Sequence, residues 1–193
     1  MTKGKGAMTN KILGISGSLR KASLNTAALR AAKGLCPANM EIHISSIADV
    51  PLYNGDLDEG SGPAPVQALR QQVSDADGLL IATPEYNFSV PGVLKNAIDW
   101  ASRPAFKSVL AGKPVAVIGV SPSGVGTARA QHELRDVLFG TMSEVFPHPE
   151  VLIGNASSRF DAEGQLTDEA TRDFLTKMLA RYGDWLRARA MTA

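Results

Sequence analysis

Two stretches of this chain gather the residue types that grip a ligand. The first reads Gly14-Ile15-Ser16-Gly17-Ser18-Leu19-Arg20-Lys21-Ala22-Ser23-Leu24-Asn25-Thr26 and is dense in hydrogen-bond donors. Where such a run opens a helix, first-turn N–H groups point outward unpaired and the helix dipole favours an anion. Ser18, Ser23, Asn25 and Thr26 add side-chain donors, and Arg20 adds a charged fork suited to phosphate. The plainer reading is that Ser23 or Asn25 merely caps the helix while Arg20 is solvated. Neither well-known nucleotide loop is present: Gly14 and Gly17 are too far apart for G-x-G-x-x-G, and no Gly-Lys-Ser/Thr ending follows. A phosphate loop of neither kind suggests a mononucleotide such as FMN.

The second stretch, Thr83-Pro84-Glu85-Tyr86-Asn87-Phe88-Ser89-Val90-Pro91-Gly92, is stiffened by two prolines. Pro84 cannot donate to a sheet and Pro91 suits a helix start, so the amides between them are free to read the polar edge of a flat ring. Donors beside the ring carbonyls of a flavin would favour its reduction. Tyr86 and Phe88 have an alternative role in covering the end of a sheet. Asn87, set between two aromatics, calls for a polar partner if it is buried.

Loops of this kind need a scaffold, and five short apolar runs supply it: Lys11 to Ser16, Glu41 to Ser45, Gly78 to Thr83, Pro114 to Val120 and Glu150 to Gly154. Between them, one-sided apolar stripes at helical spacing predict helices, including a fourth from about Ala128 to Phe139. A last helix, capped by Thr167, is expected to turn Phe174, Met178, Tyr182, Trp185 and Leu186 inward. Alternating strands and helices predict an α/β fold, a doubly wound five-stranded parallel sheet in the order 2-1-3-4-5. Ligands of such sheets bind beyond the carboxyl ends of the strands where the order reverses, between the first and third. Both donor-rich stretches fall there.

The runs GSLRKASLNT, Gly17 to Thr26, and TPEYNFSVPGVLKNAIDWASRP, Thr83 to Pro104, resemble the NADPH-dependent FMN reductase family, a flavodoxin-like group that includes chromate, quinone and azo reductases. A weaker third likeness is LAGKPVAVIGVSPSGVGTARAQHELR, Leu110 to Arg135. The resemblance implies FMN as cofactor, NADPH or NADH as co-substrate, and a ping-pong cycle that ends on a small-molecule electron acceptor. The implied phosphate site draws on Ser16, Ser18, Leu19, Arg20, Ser23, Leu24, Asn25 and Thr26; the ring would lie against Pro84, Glu85, Tyr86 and Asn87. Ser121, Ser123 and Gly124, after the fourth strand, would touch its other side, although Pro122 is less usual there than a small residue. No catalytic side chain is required, because the flavin carries the chemistry. Family members are dimers or tetramers, which makes a homo-oligomer the expectation and sets Trp100 and Arg103 as possible partner contacts against a core role for Trp100.

Composition narrows the alternatives. With 20 basic and 19 acidic residues in 193, the formal charge of +1 offers no broad field for nucleic acid or an anionic membrane. One cysteine, Cys36, forms no internal disulfide and reads as a small buried hydrophobe, which favours a reducing cytoplasm. His43, His132 and His148 show no metal-ligand spacing. His132 is expected in solvent, the other reading being a network with Glu150. Residues 1–9 are expected to form a flexible tail ahead of one domain over 10–193. A flavodoxin-like electron carrier is the principal rival, but carriers present an acidic docking face that this chain lacks. A hydrolase built on Ser16 or Ser18 lacks a suitable histidine.

Overall fold

A computed structural model describes residues 9–191, so the expected N-terminal tail lies outside the described residues except for Thr9. Eleven elements follow in order: β1 (Asn10–Ser16), α1 (Leu24–Leu35), β2 (Met40–Ser45), α2 (Ala64–Asp75), β3 (Gly78–Ala82), α3 (Gly92–Ala101), β4 (Pro114–Val120), α4 (Ala128–Gly140), β5 (Glu144–Val145), β6 (Val151–Ile153) and α5 (Glu169–Ala190). All strand pairs are parallel, and the sheet runs β2-β1-β3-β4-β5, with β6 also on β4.

The strands read as continuous apolar runs because both faces are covered. Along β3, Leu79 and Ile81 enter one core and Leu80 and Ala82 the other; β4 alternates likewise, Val115 and Val117 against Ala116 and Ile118. Helices α2, α3 and α4 close the core that holds Leu79 and Ile81, and α1 and α5 close the one that holds Leu80 and Ala82. The last helix is tied through the sheet by Tyr182, whose buried hydroxyl lies 3.0 Å from both the Leu79 and Pro114 carbonyl oxygens. Burial pushes its pKa well above the ordinary phenol range. Among the described residues no helix is long and apolar enough to cross a membrane.

Three expectations are corrected. The sheet has six strands rather than five: the expected run Glu150 to Gly154 stands as β6 on the end of β4, and a further strand, Glu144–Val145, pairs with its start. Between them Pro147 and Pro149 lack the N–H that a ladder needs. The last helix is capped by Asp168, not Thr167: its carboxylate accepts the Thr171 N–H at 2.9 Å and meets Arg159 at 2.8 Å. The Thr171 hydroxyl and amide, with Arg159, hold that carboxyl below its usual range. Phe174 is exposed; Leu175 and Leu179 fill the places beside Met178 and Tyr182 instead.

Candidate functional site

At the carboxyl ends of β1, β3 and β4 lies an open cleft of about 330 Å³, lined by the turns that follow all three strands. Its first wall is the β1–α1 turn. Ser23 caps α1 by accepting the Thr26 N–H at 3.2 Å, which leaves the first-turn amides of Leu24 and Asn25 without a partner among the described residues. Those two N–H groups, the dipole behind them and the exposed Arg20 form an anion seat. Gly17 lets the turn sit close to the second wall: a Cβ there would stand 3.1 Å from Pro84 Cδ and 3.1 Å from Leu94 Cδ2.

Asn25 performs a task other than the expected one. Its side chain is buried, donating to the Val120 carbonyl at 3.0 Å and accepting the Val120 N–H at 2.9 Å. The β3–β4 pairing ends where the Thr83 N–H donates to the Ile118 carbonyl at 2.9 Å, and Val120, the next β4 residue whose backbone faces β3, receives no bond from that strand. Asn25 therefore completes the ladder from another element, and only its backbone amide remains for a ligand. Thr26 is likewise engaged, its hydroxyl 3.0 Å from Ser16 Oγ.

The second wall is the β3–α3 turn. Tyr86 and Ser89 exchange both backbone hydrogen bonds, at 3.2 and 3.0 Å, around Asn87 and Phe88 at φ of +51° and +66°. Positive φ at both central positions is the type I′ geometry that asparagine tolerates well and phenylalanine poorly. Asn87 thus stands at an exposed turn tip, outside the cleft lining, and the partner expected for a buried amide is not needed. Phe88 is exposed beneath the Arg129 guanidinium, 4.3 Å from the ring centroid, and Tyr86 stands half-open at the cleft.

Glu85 lines the cleft, but its carboxylate turns away from it. It accepts the Arg129 and Ala130 N–H groups at 3.0 and 3.1 Å, capping α4, whose own cap residue Thr127 makes no such bond. The negative charge is thereby compensated by the α4 dipole and by Arg129 at 3.5 Å, while the Glu85 backbone N–H has no partner among the described residues.

The third wall follows β4. Ser121 and Pro122 line the cleft; Ser123 and Gly124 do not. Ser123 is drawn back by its carbonyl, which accepts the Gly126 and Asn155 N–H groups at 3.3 and 3.0 Å. Ala22 and Val120 also line the cleft and escaped the sequence reading. Val120, the last residue of β4, was open to prediction from the rule that ligands sit beyond strand ends. Ser16, Leu19 and Thr26 border a neighbouring cleft on the far side of the β1–α1 turn, to which Ser18 and Arg20 are common. No histidine borders either cleft, and the described residues contain no cluster able to hold a metal ion. Trp100 is fully buried in its own chain, its indole N–H donating to the Pro51 carbonyl at 2.8 Å. His132 is exposed, and Glu150 pairs with Arg135 rather than with it.

The chemistry of these walls fits a flavin mononucleotide: unpaired amides and a guanidinium at one end, apolar Pro84, Tyr86, Val120 and Pro122 at the other. Comparison with known proteins points the same way. The family model described as NADPH-dependent FMN reductase matches residues 10–158. An NAD(P)H-dependent FMN reductase of Pseudomonas aeruginosa is 48% identical over 92% of this chain and 95% of its own. A 2-hydroxy-1,4-benzoquinone reductase of a Burkholderia species is 44% identical over 94% of this chain and 99% of its own. Among solved structures, the flavoenzyme NAD(P)H:(acceptor) oxidoreductase FerB of Paracoccus denitrificans superposes with a TM-score of 0.84 at 38% identity, covering 93% of this chain and 98% of that one.

Proposed function

Since the chain belongs to the NADPH-dependent FMN reductase family, we propose that it transfers hydride from NADPH or NADH, through FMN held in the first cleft, to a quinone or related small acceptor. The observation that carries this reading is the pairing of an unpaired-amide anion seat with apolar walls at the switch point of the sheet. When bound, FMN supplies the hydride chemistry; the chain supplies position, charge and exclusion of water. Leu24 and Asn25 amides, the Ser18 hydroxyl and Arg20 would hold the phosphate. Pro84 and Tyr86 would flank the ring on one side and Ser121 and Pro122 on the other. The Glu85 N–H is placed to donate to a ring carbonyl.

Azo compounds and metal oxyanions such as chromate belong to the same proposal, because an open cleft selects weakly among flat or small acceptors. So do assembly as a homodimer or homotetramer and a cytoplasmic location, the latter supported by the single cysteine. Trp100, being internal, takes no part in such an assembly. An electron carrier that never meets a nicotinamide is disfavoured by the near-neutral charge. The deciding experiment is the visible spectrum of the purified, FMN-loaded protein under anaerobic conditions. Bleaching on addition of NADPH alone, and recovery on adding a benzoquinone, are expected. A yellow protein that NADPH and NADH both leave unchanged would point to a carrier, and a chain that takes up no FMN would end the reading altogether.

A further inference from the structure

The neighbouring cleft, about 300 Å³, lies between the β1–α1 turn and the segment after β2. Three cations border it, Arg20 and Lys21 from the turn and Arg30 from α1, one helical turn beyond Thr26 on the same face. Among the described residues none of the three makes an ion pair or a side-chain hydrogen bond, whereas Arg70, Arg129, Arg135, Arg159, Arg187 and Arg189 all pair with carboxylates. No carboxylate borders the cleft. Like charges left together without a counter-ion repel one another, and a bound anion removes that cost.

A hydroxyl adds to the case. Ser46 Oγ accepts the Ala48 N–H at 3.1 Å, so it keeps its proton to donate. The remaining lining includes exposed Leu19 and half-buried Ile44, an apolar surface that a bare inorganic anion would not use but an adenosine would. Ser18 and Arg20 border both clefts, so the two adjoin across the β1–α1 turn.

We propose that this second cleft receives the adenosine 2′-phosphate end of NADPH, with Lys21 and Arg30 on the phosphate and Leu19 and Ile44 against the adenosine. The proposal rests on the reading of the first cleft as the flavin site, and it makes the chain a reductase that prefers NADPH to NADH. Arg20 serves the flavin phosphate, so Lys21 and Arg30 are the discriminating pair.

The test is the double variant Lys21→Ala, Arg30→Ala, loaded with FMN and compared with the unaltered protein. KM for NADPH should rise roughly tenfold or more, the least that losing either of the two charge-assisted contacts would give, while KM for NADH, kcat and flavin content stay unchanged. Calorimetry on the FMN-loaded protein should show the Kd for adenosine 2′,5′-bisphosphate weakened by the same factor and that for adenosine 5′-diphosphate little altered. Equal losses with NADH and NADPH, or none with either, would overturn the assignment. Inorganic phosphate binding the unaltered protein as tightly as the bisphosphate would also overturn it, since the cleft would then hold any anion. If FMN itself does not bind, the preceding reading fails; if FMN binds and NADH is oxidised without this discrimination, only the present proposal fails.

Discussion

At the scale of single residues, Arg20 and Asn25 make the instructive contrast. Both were expected at the phosphate by their side chains, yet Arg20 is exposed and unpaired while Asn25 is buried and spends its amide on Val120. Substitution should separate them. Arg20→Ala is expected to weaken FMN binding by about 1.5–3 kcal/mol, the worth of a charge-assisted hydrogen bond, with the melting temperature of the flavin-free protein unchanged. Fluorescence titration of FMN checks this, and an unaltered Kd would remove Arg20 from the site. Asn25→Ala should act the other way about, costing roughly 1–3 kcal/mol of stability because the N–H and carbonyl of Val120 lose their partner. Urea unfolding of the flavin-free protein measures that loss. Sequence could nominate Asn25 but not its partner, for the bond spans 95 positions and depends on where β3 stops.

At the scale of elements, the three turns are held together by backbone approach and by borrowed caps. Gly119 of β4 admits Thr127 and the Thr83 carbonyl: a Cβ there would lie 1.8 Å from Thr127 Oγ1 and 2.6 Å from Thr83 O. Gly119→Ala is therefore expected to destabilise the fold by roughly 1–3 kcal/mol or more through overpacking, and to loosen FMN because β4 and the α4 entry move apart. A urea midpoint equal to that of the unaltered protein would show that the contact yields without cost. The same logic explains Glu85, a cleft residue whose carboxylate supplies the cap that Thr127 does not provide to α4. Strand and helix positions were legible from periodicity, β4 to the residue, because a strand buried on both faces is an unbroken apolar run. The two-residue β5 was not, since so short a segment carries no period, and the Asp168 cap was displaced by one residue because Thr167 and Asp168 are both good caps.

For the whole molecule, the cleft lies where three separate turns meet, so a ligand that touches all three should stabilise the fold as a unit. Free FMN at a hundred times its Kd is expected to add about 2.7 kcal/mol, raising the thermal midpoint by roughly 5–10 °C for a domain of this size. Differential scanning calorimetry across a series of FMN concentrations measures it; a midpoint independent of FMN would contradict binding to the folded state. The formal charge of +1 leaves little long-range steering, so capture of anionic cofactors falls to local clusters such as Arg20, Lys21 and Arg30.

Composition, apolar periodicity and the donor-rich run from Gly17 to Thr26 were enough to determine a doubly wound parallel sheet with its open cleft at the β1 and β3 turns, because local spacing dictates strands and helices and right-handed crossovers restrict their order. The tertiary structure alone decided which donors remain available. It turned the Asn25 amide onto Val120 and the Glu85 carboxylate onto α4, drew Ser123 and Gly124 back from the cleft, and left Lys21 and Arg30 unpaired across a shared turn. The physical reason is that a polar group's partner is settled by proximity in space, and strand ends bring together residues that no spacing along the chain relates.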